Sequence, residues 1–156
     1  MTTNLIGLNT EQSQQLAASL NKLLANYHVF YMNTRGYHWN IKGKEFFELH
    51  AKFEEIYTDL QTKLDEVAER ILTLGERPLH SFTSYLAETD IQEHTNATDG
   101  QSTMQGLVDG FNTLITQQRS VLALASETGD EGTASQMSDY IREQEKLIWM
   151  LNAWLQ

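Results

Sequence analysis

Apolar residues return every three or four positions along four long stretches of this chain, and that spacing predicts four amphipathic helices. The first runs from about Asn9 to Tyr37, with Leu16, Leu20, Leu23, Tyr27, Phe30 and Thr34 on one face and His38 continuing the series. Asn9 is placed to cap it, with Gln12 three residues later in the manner of a capping box. The second runs from about Lys44 to Leu74. Phe46, Phe53, Leu60, Val67 and Leu74 are spaced by sevens, with Leu49, Ile56 and Leu64 beside them. Glu45 and Glu48 suit the positive end of the helix dipole, while Gly75 and Pro78 end the helix. The third covers about Ser102–Glu127 through Met104, Leu107, Val108, Phe111, Leu114, Ile115, Val121 and Leu122, and Gly129 stops it. The fourth covers about Thr133–Leu155. Thr133 and Gln136 form its expected capping box, and Met137, Tyr140, Leu147, Leu151 and Trp154 form its stripe.

Residues 79–100 make a long connection between the second and third helices, with room for a short helix around Phe82–Glu88. Two helical pairs joined by such a crossover describe an all-α, ferritin-like four-helix bundle, with helices two and three parallel. A single domain over residues 1–156 is expected at this length. The lone proline fits an all-α reading, and the absence of cysteine excludes disulfides and thiolate metal sites. Any metal must then be held by imidazole, carboxylate or water, which leaves ions such as iron, manganese or zinc. Residues Met1–Gln12 have neither the basic nor the apolar segment of a secretory signal, so a cytoplasmic protein with no membrane span is expected. The formal charge of −10, with 11 basic residues scattered among 21 acidic ones, argues against nonspecific nucleic-acid binding.

Candidate chemistry concentrates on the second helix. His50 and Glu54 are four residues apart near its start, as are Asp65 and Glu69 near its end. The eleven steps from Glu54 to Asp65 return within about 20° of the same face but separate the two by roughly 16 Å along the axis. One centre served by all four therefore needs two antiparallel copies of the helix, and a metal site of this kind exists only in an oligomer. His38 precedes His50 by twelve residues, and a turn at Asn40–Gly43 brings it back beside the second helix. His38, His50, Glu54, Asp65 and Glu69 make a mixed nitrogen–oxygen set suited to iron. On spacing alone the alternative stays open, that these acids are the solvated face of a long helix.

The stretch His38-Trp39-Asn40-Ile41-Lys42-Gly43, followed by Leu49-His50 and Glu54, resembles the first signature of the Dps family, the DNA-protection-during-starvation mini-ferritins. Leu64-Asp65-Glu66-Val67-Ala68-Glu69-Arg70, with Leu74-Gly75 and Pro78 after it, resembles the second, and Lys146-Leu147-Ile148-Trp149 extends the likeness towards the end. The resemblance implies a hollow twelve-subunit shell, a dodecamer, that acts as a ferroxidase. It would oxidise Fe(II), preferably with hydrogen peroxide, store ferric mineral, and so protect against oxidative stress. Its iron centre would lie between two-fold-related subunits, with His38, His50 and Glu54 from one and Asp65 and Glu69 from the other. Glu54 departs from the Asp that most members carry, an extra methylene that bears on ligand placement and on a second metal position. The Glu-x-x-His motif of larger ferritins is absent.

Other residues are assigned more modest roles. Trp39 is expected either against the site, as a radical interceptor, or as a wedge in the first interhelical turn. Glu127, Asp130, Glu131 and Asp139 surround the region where the family lines an acidic three-fold pore, although Ser135 stands at a position often acidic, and helix capping explains Asp130 and Glu131 equally well. His28, His80 and His94 lack partners at ligand spacing and are expected to be surface or hydrogen-bonded histidines. Trp149 and Trp154 follow the core period and are read as packing residues. A DNA-compacting protein with secondary iron chemistry is the rival reading. Members that bind DNA generally use Lys- and Arg-rich tails, and here the first basic residue is Lys22, so direct DNA binding is not expected.

Overall fold

The computed structural model describes residues 2–156, and Met1 lies outside them. The described residues form α1 (Thr10–Asn40), α2 (Phe46–Thr73), the short α3 (Phe82–Glu88), α4 (Gly100–Glu127) and α5 (Glu131–Leu155). An isolated bridge between Thr3 and Asn9 is the extent of the extended pairing among them. The all-α bundle with a short crossover helix is thus borne out. No helix among the described residues is long and apolar enough to cross a membrane.

Helix ends follow local chemistry. Asn9 caps α1, its side-chain oxygen accepting from the Gln12 N–H at 2.9 Å. At the far end α1 runs past Tyr37 to Asn40, because the Asn40 side chain donates to the Gly36 carbonyl and the Ile41 N–H to that of Tyr37. Gly75 and Gly129 close α2 and α4 in the left-handed conformation, with φ of 93° and 76°. In both, the following N–H reaches back to the helix, Glu76 to the Ile71 carbonyl and Asp130 to that of Ala125. α2 begins at Phe46 rather than Lys44. α4 begins at Gly100 rather than Ser102, because the Asp99 side chain caps it by accepting from the Ser102 N–H. The capping box expected at Thr133 is corrected: Asp130 is the cap of α5, accepting from both the N–H and the hydroxyl of Thr133, which lies buried within the first turn. A carboxylate held in place by the Arg70 guanidinium at 2.7 Å outcompetes a hydroxyl for that position.

Hydrogen bonds between helices give their directions. Asn26 meets Gln117 and Tyr27 meets Gln118, while Tyr37 abuts Gly106, so α1 and α4 are antiparallel. Lys42 binds the Thr98 carbonyl at one end of α2, and Arg70 binds Asp130 at the other, so α2 and α4 run the same way, as the long crossover predicts. The crossover climbs α1 on three asparagine side chains. Asn21 binds Leu79 and Arg77, Asn26 accepts from Asp90 and Ile91, and Asn33 binds Gln92 and His94.

The predicted apolar stripes form one core that includes Leu20, Leu23, Phe30, Phe53, Leu60, Phe111 and Leu114. Trp154 is partly buried against it and donates its indole N–H to Glu45, but Trp149 is 66% exposed. The core reading of Trp149 is therefore corrected: it lies on the outer face, between the half-buried Ile148 and the exposed Met150. Tyr27, Gln118 and Gln144 close a fully buried ring of hydrogen bonds that ties α1, α4 and α5 together. Nearby, the Lys63 ammonium is buried between Asp59 at 2.7 Å and Glu143 at 2.9 Å and sits 5.2 Å from the Tyr140 ring centre. Burial pulls Lys63 down, but the two carboxylates outweigh it and hold the amine above its ordinary range.

Candidate metal centre

The turn at residues 41–45 folds α2 back on α1 and sets His38 against His50. Each ring holds the other's backbone: His38 Nδ1 lies 2.7 Å from the His50 carbonyl oxygen, and His50 Nδ1 lies 2.7 Å from that of His38. A carbonyl oxygen only accepts, so both Nδ1 atoms carry the proton and both Nε2 atoms keep a free lone pair. That is the tautomer a metal ligand needs, fixed by the kind of second hydrogen bond that orients ligating histidines. The two rings are stacked 3.8 Å apart, Phe46 stacks on the outer side of His50 at 4.8 Å, and Tyr57 stands edge-on to His38 at 5.2 Å. Imidazole orientation is therefore set by packing as well as by hydrogen bonds.

Glu54 brings Oε1 to 3.7 Å from His38 Nε2. That is too long for a hydrogen bond and close to the roughly 3–3.5 Å between two donors that share an ion at about 2.1 Å. The longer side chain of Glu54 thus reaches the histidine pair, and it remains 60% exposed on its open side. Asp65 and Glu69 lie exposed at the other end of α2. Asp65, hydrogen-bonded to Glu69 and repelling it, holds the Glu69 carboxyl above the usual carboxylate range. Among the described residues no three His, Asp or Glu side chains of one chain converge around an ion position. The five predicted ligands fall into two separate groups, His38 with His50 and Glu54, and Asp65 with Glu69.

One further pattern joins the halves. At 100° per residue, Phe47, His50, Glu54, Thr58, Gln61, Asp65, Glu69 and Leu72 fall within a sector of about 100° on α2. Phe47 is 79% exposed and Leu72 is 57% exposed, unusual for large apolar side chains flanking a polar stripe. In an antiparallel pair of α2 helices centred between residues 59 and 60, Glu54 faces Asp65, His50 faces Glu69, and Phe47 faces Leu72. Sequence periodicity had not singled out Phe47 or Leu72, because only exposure distinguishes them from core residues.

The remaining candidates separate clearly. Asp130 is 2% exposed and is consumed by Arg70 and Thr133, so it lines no pore. Glu127 and Glu131 are exposed at the α4–α5 corner, and Asp139 pairs with Arg142. His28 stacks on Tyr85 at 4.0 Å, His80 binds the Pro78 carbonyl, and His94 binds the Tyr37 hydroxyl, as expected of satisfied histidines. Trp39 is no wedge: it is 59% exposed on the last turn of α1, with the Arg35 guanidinium 5.1 Å from its ring centre.

Comparison with known proteins agrees with this geometry. Residues 17–156 match the family described as Ferritin-like domain. The chain is 41% identical over 148 residues to the DNA protection during starvation protein of Porphyromonas gingivalis, covering 95% of this chain and 93% of that one. It is similar, at TM-score 0.99 and 74% identity, to the crystal structure of a DPS protein from Vibrio cholerae O1, covering 100% of this chain and 98% of that one. That structure is described as a member of a broad superfamily of ferritin-like diiron-carboxylate proteins. A Dps protein from Bacillus brevis superposes at TM-score 0.91 with 34% identity, over 96% of this chain and 100% of that one. With a matching domain, a relative 41% identical and a matching fold, the chain belongs to the Dps family of ferritin-like proteins.

Proposed function

We propose that this protein oxidises Fe(II) at centres shared between two-fold-related subunits and stores the ferric product inside a twelve-subunit shell. The observation that carries this reading is the single stripe on α2, where one antiparallel register pairs both sets of donors and both exposed apolar residues. His38, His50 and Glu54 of one subunit would bind the substrate iron together with Asp65 and Glu69 of its neighbour. The carboxylates are hard, charged donors that favour Fe(III) over Fe(II) and so ease electron loss. The imidazoles are already oriented by their Nδ1 hydrogen bonds and stacking, which limits the reorganisation that binding demands. Hydrogen peroxide is the preferred oxidant in this reading. Two Fe(II) ions each supply one electron, peroxide with two protons becomes two waters, and no radical is released.

Stopped-flow oxidation of Fe(II) by peroxide and by oxygen, on assembled protein, tests it. Faster turnover with peroxide at two irons per peroxide is expected. The native mass should be about 215 kDa, twelve copies of the 17.9 kDa chain. A stable monomer, or iron oxidation no faster than in buffer, sinks the reading.

The DNA-compacting alternative draws on relatives named for DNA protection, yet removal of iron and peroxide protects DNA without touching it. Twelve chains at −10 each give a strongly anionic shell, and no basic residue precedes Lys22, which lies within α1. No gel shift of duplex DNA is expected at neutral pH and ~0.1 M salt with chelator present, since a net −10 on each chain repels the phosphate backbone. A tight, salt-sensitive complex would promote the alternative.

A further inference from the structure

We propose that Tyr37 and His94 form a proton-coupled electron donor that quenches one-electron oxidants escaping the iron centre, with Arg35 keeping the hole from resting elsewhere. The proposal rests on the iron–peroxide reading above. Tyr37 directly precedes His38 on α1, and its ring stands against Phe53, which directly precedes Glu54, with centres 6.0 Å apart. It is one residue in sequence from one proposed ligand, packs on the residue that precedes another, and is only 2% exposed. Its hydroxyl meets His94 Nδ1 at 2.5 Å. In the tautomer that carries its proton on Nε2, His94 accepts the phenolic proton at Nδ1 and serves as the base of the pair.

The pair is held from three sides. Asn33 accepts from the His94 N–H at 2.9 Å and donates to the Gln92 carbonyl, which fixes the crossover segment that carries the histidine. Helix α4 closes over both groups at Gly106, where a Cβ would fall 2.3 Å from the Tyr37 hydroxyl oxygen and 3.0 Å from His94 Nδ1. Only a residue without a side chain lets α4 approach this closely. Burial, with the Asp109 charge adding to it, pushes the phenol up to about 12, so it holds its proton at neutral pH.

The other tyrosines and Trp39 are each disfavoured. The Arg35 guanidinium lies 4.8 Å from the ring centre of Tyr57, 5.1 Å from Trp39 and 5.9 Å from Tyr31, and its charge opposes a positive hole on any of them. Lys63 does the same to Tyr140. Tyr27 and Tyr85 donate to an amide oxygen and a backbone carbonyl, neither of which takes a proton. Tyr37 is the one tyrosine among the described residues whose hydroxyl contacts a histidine and whose ring has no cation over it.

The chemistry balances. When a single Fe(II) reduces peroxide by one electron, it leaves hydroxide and a hydroxyl radical. The radical takes one electron from Tyr37 and becomes hydroxide, while the phenolic O–H bond breaks and the proton forms an N–H bond at His94 Nδ1. A neutral phenoxyl and an imidazolium remain. A second Fe(II) returns the electron and His94 returns the proton, which restores the overall count of two irons per peroxide.

Freeze-quench electron paramagnetic resonance of the assembled, Fe(II)-loaded protein after peroxide addition tests this. A tyrosyl signal is expected in the wild type, lost in Tyr37→Phe and diminished in His94→Gln, an exposed position, with the native mass unchanged. Arg35→Gln should move part of the signal to Trp39 or Tyr57. A second arm uses iron-free protein and azide radicals from pulse radiolysis, which remove single electrons from phenols and indoles, and expects the same dependence on Tyr37. Failure of the wild type to oxidise Fe(II) would defeat the iron reading, while the azide arm still decides where the hole settles. A tyrosyl signal undiminished in Tyr37→Phe, a tryptophanyl signal alone, or no protein radical in either arm overturns the proposal.

Discussion

At the start of α2, His50 is stacked between Phe46 and His38, and its ring is fixed by a hydrogen bond to a backbone carbonyl. At the end of the same helix, Asp65 and Glu69 stand exposed with each other as close neighbours. The difference follows from charge. A neutral imidazole binds metal only when its lone pair points correctly, so the fold invests packing and hydrogen bonds in its orientation. Two adjacent carboxylates need no such steering, because a cation relieves their mutual repulsion wherever it meets them. One end is ordered and short of charge, and the other is charged and short of order. In the proposed two-fold pair, each would supply what its counterpart on the neighbouring subunit lacks.

The largest effect should come from the contacts that bring the two ends together. Phe47 and Leu72 would each bury about 2 kcal/mol of apolar side chain, and each pairing occurs twice about a two-fold axis. Phe47→Lys alone should weaken the two-fold pair by about 4 kcal/mol, roughly a thousandfold in dissociation constant, read by sedimentation. Leu72→Glu added in the same chain should cost less than it does alone, because Lys at 47 then faces Glu at 72 across the axis. Purely additive losses would mean that the register is different.

Next in size are the ligands themselves. His50→Ala and Asp65→Asn should each slow Fe(II) oxidation by at least about tenfold with the helices intact by circular dichroism, since each removes a donor rather than a supporting contact. Mixing the two variants sharpens the comparison. In a mixed two-fold pair one site carries both changes and the other carries neither, so activity should return. Verified mixed assemblies that stay inactive would assign all ligands to a single chain.

The smallest effect is expected at a histidine remote from both ends. Burial against Tyr85 holds His28 below its ordinary range. Its folded-state value is depressed, so the stability linked to it is present above about pH 6.5 and is lost as pH falls through that value towards the lower folded one. The melting temperature of the wild type should therefore drop a little more between pH 7.5 and 5 than that of His28→Phe, which keeps the stacking without the charge. Equal slopes would show that His28 contributes nothing to acid sensitivity.

Much of the architecture is local enough to be read along the chain. Leu16, Leu20, Leu23, Tyr27 and Phe30 announce α1 through spacing, Asn9 caps it, and Gly75 and Gly129 mark turns that require positive φ. The ligand types and the antiparallel requirement are also written in the sequence, since helix rise and rotation are the same in every protein. The start of α5 was misplaced because Asp130 and Thr133 are both good caps, and only Arg70, sixty residues away, selects between them. Burial of Lys63 and Gln118 was equally invisible, because polar residues enter a core only when distant partners satisfy them.

The sequence by itself determined the helices, and it set the proposed donor residues on one helix face, all of which depends on periodicity and residue chemistry. The tertiary structure alone decided the tautomers of His38 and His50, the exposure of Phe47 and Leu72, and the pairing of Tyr37 with His94. These depend on which backbone atoms and side chains meet across residues far apart in the chain, and no local pattern encodes such meetings.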